Sequence, residues 1–574
     1  MMLLNVLLAS LPFVAIYLYQ TLRYLRKKQY AEWPQLPPSL LWGHMKILHE
    51  FIERGESKRH FDIVLSEVRE SLGNPPAFML DVRPAQRALG VICTHEVAEQ
   101  VSKNTKSFPY SMAKSPTYAA FDHLLGPSSI VSAQGEEWKG LRRRFNPGFA
   151  PQHLLSLLPC ILDRSWRFLE NLDAHARARD EFTLDELCIN LTFDIIDIQP
   201  DKPGAVTMDE DFHAQLPKDQ QGEIAGLYRQ LVTSYSPGSR GGSFRWGIGD
   251  FQKRRRRNAL GGRIDALLKD LIRRKFAEKA QSEKTTGGKK SRSVLALSLQ
   301  GIEELTPQIV DQTCDQLKSF LFAGHDTTSI LLQWAFYELS RTPRALNAIR
   351  TELDQIFGPD PSPSVVRDSL LSDHGDQLIR RMSYVSAVIK ETLRLYPPSG
   401  SARLEPPGTG FRVTLPEGNS LCLDNAIVYI CETIIQRDEA VYGPTKDEFM
   451  PERWLGDTDT SMETNVDSSN EKPGSGRIPA SAWRPFERGP RNCIGQELAN
   501  LEARTILACT VRRYDFSKVG LGEVARDSTS GEPIVNSKGQ YEVQSRLFNT
   551  AQVTAKPMDG TRMRVSFTPG ASEL

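Results

Sequence analysis

The stretch FERGPRNCIG, residues 486–495, is the most informative part of this 574-residue sequence. It places Cys493 shortly before an apolar helical stretch, with Gly489, Arg491 and Gly495 at short offsets from the cysteine. The positive end of the helix, nearby backbone N–H groups and Arg491 would lower the proton affinity of the thiol, and the glycines would let the backbone approach a flat ligand closely. Cys493 is therefore predicted to be a thiolate ligand of a metal ion, and the alternative is an inert buried cysteine.

The other seven cysteines are scattered, with no CxxC pair and no short-range cluster of cysteine and histidine, so a zinc module is not expected. Scattered cysteines in a long chain predict reduced thiols that face the cytosol. The 71 basic and 70 acidic residues nearly cancel and give no general argument for a nucleic-acid partner. The basic run at residues 253–257 is interpreted as a solvated helix face or a membrane-surface contact.

Residues 1–22 contain no charged side chain, and about 20 apolar residues suffice for a helix to cross a bilayer. A basic cluster follows at Arg23, Arg26, Lys27 and Lys28, which predicts that the rest of the chain faces the cytosol. The alternative is a cleaved signal peptide, but in such a peptide the basic residues come before the apolar run. We therefore predict a transmembrane anchor at 1–22, a basic and proline-rich linker at 23–40, and a single mainly helical domain at 41–574.

The longest helix is predicted to begin with Thr306 as N-cap and Pro307 at the first helical position, and to end at Ser340, with a length of about 50 Å. Its middle contains AGHDTT, residues 323–328, where a glycine costs about 1 kcal/mol relative to alanine and threonine hydroxyls can bond backbone carbonyls. One interpretation is a kink for packing. The other is a local opening that places a carboxylate and a hydroxyl beside a ligand.

The loop at 486–495 resembles the F-x-x-G-x-R-x-C-x-G signature of the cytochrome P-450 family at each signature position, from Phe486 to Gly495. Glu391 and Arg394 match the family's E-x-x-R helix motif, and FMPERW at 449–454 contains the arginine, Arg453, that joins this pair. A spacing of three residues puts Glu391 and Arg394 on one helix face. The resemblance implies a structural role for these three residues.

Three further motifs extend the resemblance. AGHDTT is similar to the family's oxygen-activation motif, Trp138 and Arg142 match a W-x-x-x-R helix that contacts haem propionates, and Arg403 matches a third propionate-binding position. The motifs occur in the family's order and cover nearly the whole chain. The implied fold is mainly α, with a large helical domain around one long central helix and a small β-rich subdomain.

The resemblance implies a haem-thiolate monooxygenase that binds haem b through Cys493 and inserts one oxygen atom from O2 into a small apolar substrate. It assigns proton delivery to Asp326 and Thr327. The chain contains no flavin or nucleotide-binding motif, so NADPH and flavins would act through a separate NADPH-cytochrome reductase, with cytochrome b5 as a further candidate partner. The anchor and this partner together imply the endoplasmic-reticulum membrane. The general likeness is to filamentous-fungal members that oxidise secondary metabolites, and no nucleic-acid partner is expected.

The sequence departs from the family pattern at one stretch. Asp197–Pro203 introduces two prolines where related chains continue with small apolar residues, and we interpret this stretch as an insertion. Other classes considered were a haem-thiolate isomerase or dehydratase, which has little use for Asp326 and Thr327, a non-catalytic haem carrier or sensor, and a membrane scaffold without haem. The last class would leave the loop at 486–495 unexplained.

Overall fold

The computed structural model describes residues 2–196, 208, 212–235, 248–284, 293–456, 478–550 and 552–571. The predicted insertion at 197–203 lies outside these residues. The α-helices of the described chain are α1 (Met2–Lys27), α2 (Met45–Glu53), α3 (Phe61–Ser71), α4 (His95–Ser102), α5 (Asp122–Leu125), α6 (Gly135–Phe145), α7 (Pro151–Leu155), α8 (Leu158–Ala178), α9 (Leu184–Ile196), α10 (Glu223–Ser234), α11 (Ile248–Lys284), α12 (Val294–Ser298), α13 (Pro307–Arg341), α14 (Pro343–Phe357), α15 (Pro363–Leu370), α16 (Gly375–Arg381), α17 (Ser383–Leu395), α18 (Glu432–Ile435), α19 (Glu439–Tyr442) and α20 (Gln496–Thr510).

The β-strands are short and form small sheets. They are β1 (Ala77–Leu80), β2 (Leu89–Ile92), β3 (Phe182–Thr183), β4 (Ser401–Arg403), β5 (Arg412–Thr414), β6 (Ser420–Cys422), β7 (Ile427–Ile430), β8 (Tyr514–Lys518) and β9 (Arg562–Phe567). The prediction of a mainly helical fold with small β-sheets is confirmed.

The chain forms two compact units. One, which we call the β-rich unit, comprises Met1–Thr117, Gly400–Gly443 and Asn470–Asn492. The other, the helical unit, comprises Tyr118–Ser399, Pro444–Ser469 and Cys493–Leu574. Each unit is discontinuous in sequence.

The β-rich unit is built on a four-stranded sheet in the order β1-β2-β7-β4. Strands β2 and β7 are parallel, with Leu89 paired to Ile427, whereas the outer pairs are antiparallel. All four residues of β1 are buried, so apolar side chains cover both faces of that strand. The hairpin of β5 and β6 packs against a second apolar cluster that includes Trp33 and Val428.

The helical unit is organised around α13, whose residues are almost all buried from Val310 to Leu339. The Thr306 hydroxyl accepts a hydrogen bond from the Ile309 N–H, and Pro307 occupies the first turn, so the predicted start of this helix is confirmed. Helices α9, α11, α17 and α20 pack against α13. A three-stranded sheet, β3-β9-β8, completes the unit.

The N-terminal stretch is helical, as α1. No helix among the residues that the structure describes is both long enough and apolar enough to cross a membrane. This finding does not support the predicted transmembrane helix at 1–22. Its apolar side chains from Leu11 to Tyr19 are exposed.

The basic run at 253–257 lies on α11, where Lys253 to Arg256 are exposed. Arg257 is partly buried, because its guanidinium donates to the Ser234 carbonyl at 2.7 Å and lies 4.0 Å from the Tyr235 ring centre. This arrangement agrees with the interpretation of the run as a solvated helix face.

A buried ion pair joins α8 to the chain that enters β8. Arg513 donates to both carboxylate oxygens of Asp173, at 2.9 and 2.8 Å, and both side chains are 1 % exposed. The Tyr514 hydroxyl donates to the same carboxylate at 2.5 Å. Two elements distant in sequence are thereby fixed to each other.

We expect Arg513→Met to lower the free energy of unfolding by about 3–5 kcal/mol, because the substitution removes the buried guanidinium that donates to both carboxylate oxygens of Asp173. Arg177, which is 3.5 Å from the same carboxylate and 48 % exposed, supplies the control. Arg177→Met should cost less than about 1 kcal/mol. Urea unfolding measures both, and equal losses would contradict the prediction.

Candidate active site

Cys493 lies between a 3-10 turn at Gly489–Arg491 and the first turn of α20. All eight cysteines of the chain are free thiols, as predicted. Cys493 alone among them is exposed, whereas six are buried and Cys422 is partly buried. A cysteine on open space at the start of a helix is the arrangement expected for a metal ligand.

The acidity of the Cys493 thiol differs from the prediction. Cys493 borders solvent, but the protein atoms packed around its sulfur partly desolvate the thiol and raise its pKa, although the N–H groups of Gly495 and Gln496 and the guanidinium of Arg142 act in the opposite direction. The predicted lowered proton affinity is therefore wrong for the free thiol, and the cation that acts on it is Arg142, where the sequence predicted Arg491. A bound metal ion deprotonates a coordinating thiol outright, so this pKa does not oppose ligation.

The two glycines of the loop have different roles. Gly489 has φ of +73°, and a Cβ atom there would lie 2.2 Å from the Ser102 carbonyl oxygen, so only glycine fits. Gly495 has ordinary φ, and a Cβ atom would make a normal contact with the Cys493 sulfur at 3.9 Å. Gly489 thus permits a close approach of two backbones within the β-rich unit, which the sequence did not reveal.

Helix α13 is continuous α-helix through AGHDTT, so the predicted local opening is not present, and the alternative of a kink for packing stays a prediction. Gly324 is explained by packing, because a Cβ atom there would lie 2.4 Å from the Cδ1 atom of Ile196 in α9. The Thr327 hydroxyl donates to the Ala323 carbonyl at 2.6 Å, which keeps the turn closed.

One face of α13 is open. Ala323 is exposed and Gly324 and Thr327 are partly exposed, although nearly every neighbouring position on this helix is buried. Ala323 and Thr327 are four residues apart and therefore share a face. We call Ala323, Gly324 and Thr327 the open face of α13.

Asp326 is placed differently from Thr327. Its carboxylate is fully buried, pairs with the Lys556 ammonium at 2.6 Å, and accepts a hydrogen bond from the Thr554 hydroxyl. Burial alone would raise the pKa of Asp326, but Lys556, His325 and Thr554 keep it below its usual value. Asp326 is therefore an ionised carboxylate inside the protein. Lys556 and Thr554 were missed because they are more than 220 residues away in sequence, and no local pattern marks them.

Asp185 extends this buried network. Its carboxylate lies 3.9 Å from the Lys556 ammonium and accepts a hydrogen bond from the Gln333 amide at 2.9 Å. Burial raises the pKa of Asp185, and the positive charge of Lys556 opposes that rise. Two carboxyl groups thus share one buried ammonium.

The residues that resemble propionate contacts lie in both units. Trp138 and Arg142 lie on α6 in the helical unit, where Trp138 is buried and burial lowers the pKa of Arg142. Arg403, Phe486 and Arg491 belong to the β-rich unit. Arg403 is fully buried in β4 and donates to the Met112 carbonyl at 3.1 Å.

A cationic cluster surrounds Arg403 in the β-rich unit. Glu487 lies 3.4 Å from Arg403 and 2.6 Å from Arg484, and these guanidiniums hold its pKa well below the usual range despite burial. Lys114, which the sequence did not single out, donates to the Ser401 hydroxyl at 2.8 Å. Burial, followed by the Arg403 charge, lowers the pKa of Lys114. Two guanidiniums therefore face one ionised carboxylate, with the Lys114 amine nearby.

The structure brings Glu391, Arg394 and Arg453 together. Arg394 donates twice to the Glu391 carboxylate, each time at 2.8 Å, and both side chains are fully buried. Arg453 donates to the same carboxylate at 3.0 Å, as do the Trp454 indole at 3.0 Å and the Met450 N–H at 2.9 Å. One carboxylate thus receives five hydrogen bonds.

Glu502 on α20 is a further buried acid that the sequence did not mark. Burial raises its pKa to about 8, while a hydrogen bond with Thr328 of α13 acts in the opposite direction. The side chain is therefore mostly protonated at neutral pH. Between its ordinary pKa of 4.5 and about 8, the folded protein keeps a proton that the unfolded chain releases.

We expect the stability of the protein to fall as pH rises from 4.5 to 8, because the folded state binds the extra proton in this window. Glu502→Gln should remove this part of the pH dependence and be more stable than the parent at pH 8, at about 1.4 kcal/mol per pKa unit. Urea unfolding at several pH values measures the slope. Glu417→Gln, at an exposed position, is the control. An unchanged slope in Glu502→Gln would refute the assignment.

The chain is similar in sequence to known proteins over most of its length. Residues 37–544 match the family model described as cytochrome P-450. The chain is similar to cytochrome P-450 monooxygenase acrF of Aspergillus aculeatus, with 30% identity over 505 residues that cover 85% of this chain and 93% of the relative. It is also similar to cytochrome P-450 monooxygenase polC of Polytolypa hystricis, with 29% identity over 523 residues, or 87% and 84%. A shorter match, 31% over 216 residues, covers 38% of this chain and 16% of a bifunctional cytochrome P-450/NADPH–P-450 reductase of Gibberella moniliformis.

Proposed function

Since the chain belongs to the cytochrome P-450 family and is a haem-thiolate monooxygenase, we propose that Cys493 provides the sulfur that binds the haem iron. The observation that carries the proposal is the exposure of this thiol, alone among eight cysteines, at the start of α20. Bound haem supplies the chemistry that activates O2 and inserts one oxygen atom into a substrate. The chain would supply the sulfur that binds the iron, hold the haem and the substrate in position, and deliver protons.

We assign haem binding to the residues that the family resemblance implies. These are Trp138, Arg142 and Gly495 of the helical unit and Arg403, Phe486 and Arg491 of the β-rich unit, with the propionates assigned to Trp138, Arg142 and Arg403. Arg403 supports this assignment, because its buried Nε has no partner among the described residues. A bound propionate would also favour the charged form of Lys114, whose pKa is lowered by burial and by the Arg403 charge.

We assign proton delivery to Thr327 and Asp326. The Thr327 hydroxyl lies on the open face of α13 and can hand on a proton there. Asp326 lies inside the protein on Lys556 and Thr554, so it would be the inner end of the proton path. Lys556 would be a positioning residue, because it keeps the carboxylate ionised and fixed.

The electron donor would be a separate NADPH-cytochrome reductase, with cytochrome b5 as a second partner. Arg143, an exposed basic residue on α6, supports docking of an acidic flavoprotein near Arg142. The relative named bifunctional cytochrome P-450/NADPH–P-450 reductase supports this class of donor. The substrate would be a small apolar secondary metabolite.

We further propose that α1 attaches the chain to the endoplasmic-reticulum membrane as its single N-terminal anchor, with the catalytic part on the cytosolic side. The exposed apolar side chains Leu11, Phe13, Val14 and Ile16 support attachment, since such a surface is costly in water. The basic residues at the end of α1 would lie on the cytosolic side.

We expect the reduced, carbon-monoxide-treated protein to show a strongly red-shifted Soret band that Cys493→Ala abolishes, because the thiolate ligand causes the shift. Cys422→Ala, at a partly buried cysteine, should keep the band. A difference spectrum of each purified protein is the measurement. An unshifted band in folded parent protein would refute ligation by Cys493 and favour a carrier or a scaffold.

We expect Thr327→Ala to lower the product formed per NADPH, on the order of tenfold to a hundredfold, with a matching rise in hydrogen peroxide. The cause would be loss of the hydroxyl on the open face of α13. Thr327→Ser should restore coupling, and Ser329→Ala, which loses only a bond to the Asp326 carbonyl, should not change it. Assays with added reductase and an accepted substrate measure the ratio, and full coupling in Thr327→Ala would contradict the role.

A further inference from the structure

An open cleft of about 440 Å³ lies in the β-rich unit, apart from every residue assigned above. Its polar walls come from Tyr30, which follows α1, from Arg83, Gln86 and Arg87 between β1 and β2, and from Asn425 before β7. We call these five residues the arginine cleft. No acidic residue lines it within the described chain.

The arginine cleft has an excess of positive charge. Asp81, behind its wall, pairs with Arg26 at 2.6 Å and with Arg83 at 2.7 Å, so one carboxylate serves two guanidiniums. Arg87 donates to the neutral amide oxygen of Asn425 at 2.5 Å. The three arginines therefore leave about two positive charges unbalanced at this site.

The donors of the arginine cleft converge on one region. Burial raises the pKa of the Tyr30 hydroxyl, and Arg83 and Arg87 are both close enough to oppose that effect. Guanidinium N–H groups, a phenol and amide N–H groups around one open volume match the oxygens of a phosphate, which arginine binds in a bidentate manner.

The arginine cleft also lies at the end of α1. Arg83 donates to the Leu25 carbonyl at 2.6 Å and to the Gln29 side chain at 2.7 Å. Arg26 donates to the Leu41 carbonyl at 2.8 Å and to the Arg83 carbonyl at 2.8 Å. Leu41 and Trp42 are 62 % and 57 % exposed. Exposed apolar side chains and a tryptophan therefore adjoin a cationic cleft.

Such a combination is expected where a protein meets a lipid surface. Apolar side chains and tryptophan enter the interface, and arginine remains at the depth of the headgroups. A soluble phosphate ester would explain the guanidiniums but would leave the neighbouring exposed apolar residues without a partner.

We propose that the arginine cleft binds the phosphate of an anionic phospholipid in the membrane to which α1 attaches the chain. The phosphate accepts hydrogen bonds from Arg87 and Tyr30, Arg83 contributes its positive charge, and the lipid tails lie beside α1 and Trp42. This inference rests on the proposed membrane attachment.

The test is flotation of the full-length protein with phosphatidylcholine vesicles that contain either no phosphatidic acid or about one fifth. We expect Arg87→Gln to weaken binding to the anionic vesicles by about fivefold, at about 1 kcal/mol per interfacial arginine, and to leave binding to neutral vesicles unchanged. Arg87 is exposed, so the substitution does not disturb the core. Arg83 is unsuitable, because it also holds Asp81 and Leu25.

Arg412→Gln is the matched control, since Arg412 is an exposed arginine of the same unit outside the cleft. An equal loss of binding to anionic vesicles in both variants would mean that general surface charge attracts the protein to the vesicles. It would overturn the arginine cleft as a specific phosphate site. Binding of millimolar glycerol 3-phosphate to the parent but not to Arg87→Gln, with no loss of binding to anionic vesicles, would overturn the lipid as the source of the phosphate. Absence of binding of the parent protein to neutral vesicles would overturn attachment through α1. Failure of the arginine cleft would instead be seen as unchanged binding of Arg87→Gln to anionic vesicles, so the two failures are distinguishable.

Discussion

The carboxylate of Glu391 is the interaction on which the rest of the helical unit depends. A fully buried carboxylate loses its hydration, and that loss is tolerated only when every lone pair finds a donor. Arg394, Arg453, the Trp454 indole and the Met450 N–H provide those donors. Arg394 in turn donates to the Lys446 and Glu448 carbonyls. These hydrogen bonds therefore fix the segment 444–454, which has little regular structure, against α17.

Burial has opposite consequences for two carboxyl groups near the open face of α13. Asp326 keeps its charge because Lys556 and Thr554 replace the water that it lost. Glu502 has only Thr328 as a partner and keeps its proton instead. The same low-polarity interior thus yields one ionised and one neutral acid, and the difference is the presence of a single ammonium.

Features that depend on local spacing could be predicted from the sequence. The N-cap of α13 at Thr306, the shared helix face of Glu391 and Arg394, and the position of Cys493 before α20 each need only a few neighbouring residues. Features that depend on distant chain segments could not. Lys556 reaches Asp326 from the far end of the chain, and Arg142 acts on Cys493 from 351 positions away in sequence. Desolvation of the Cys493 thiol by the protein atoms packed around it, which decides the direction of its pKa, is likewise a property of the whole fold.

The unbroken course of α13 shows why a sequence of weak helix formers does not by itself open a helix. Gly324 could have marked a local opening, yet Ile196 of α9 occupies the space that its side chain would need. Close packing of α9 offsets the intrinsic cost of the glycine. The hydroxyl of Thr192 on the same helix also donates to the His325 carbonyl at 2.7 Å. Small residues thus bring α9 close on one side of α13 and leave an open surface at Ala323, so the packing of α9 and the room for a ligand have one common origin.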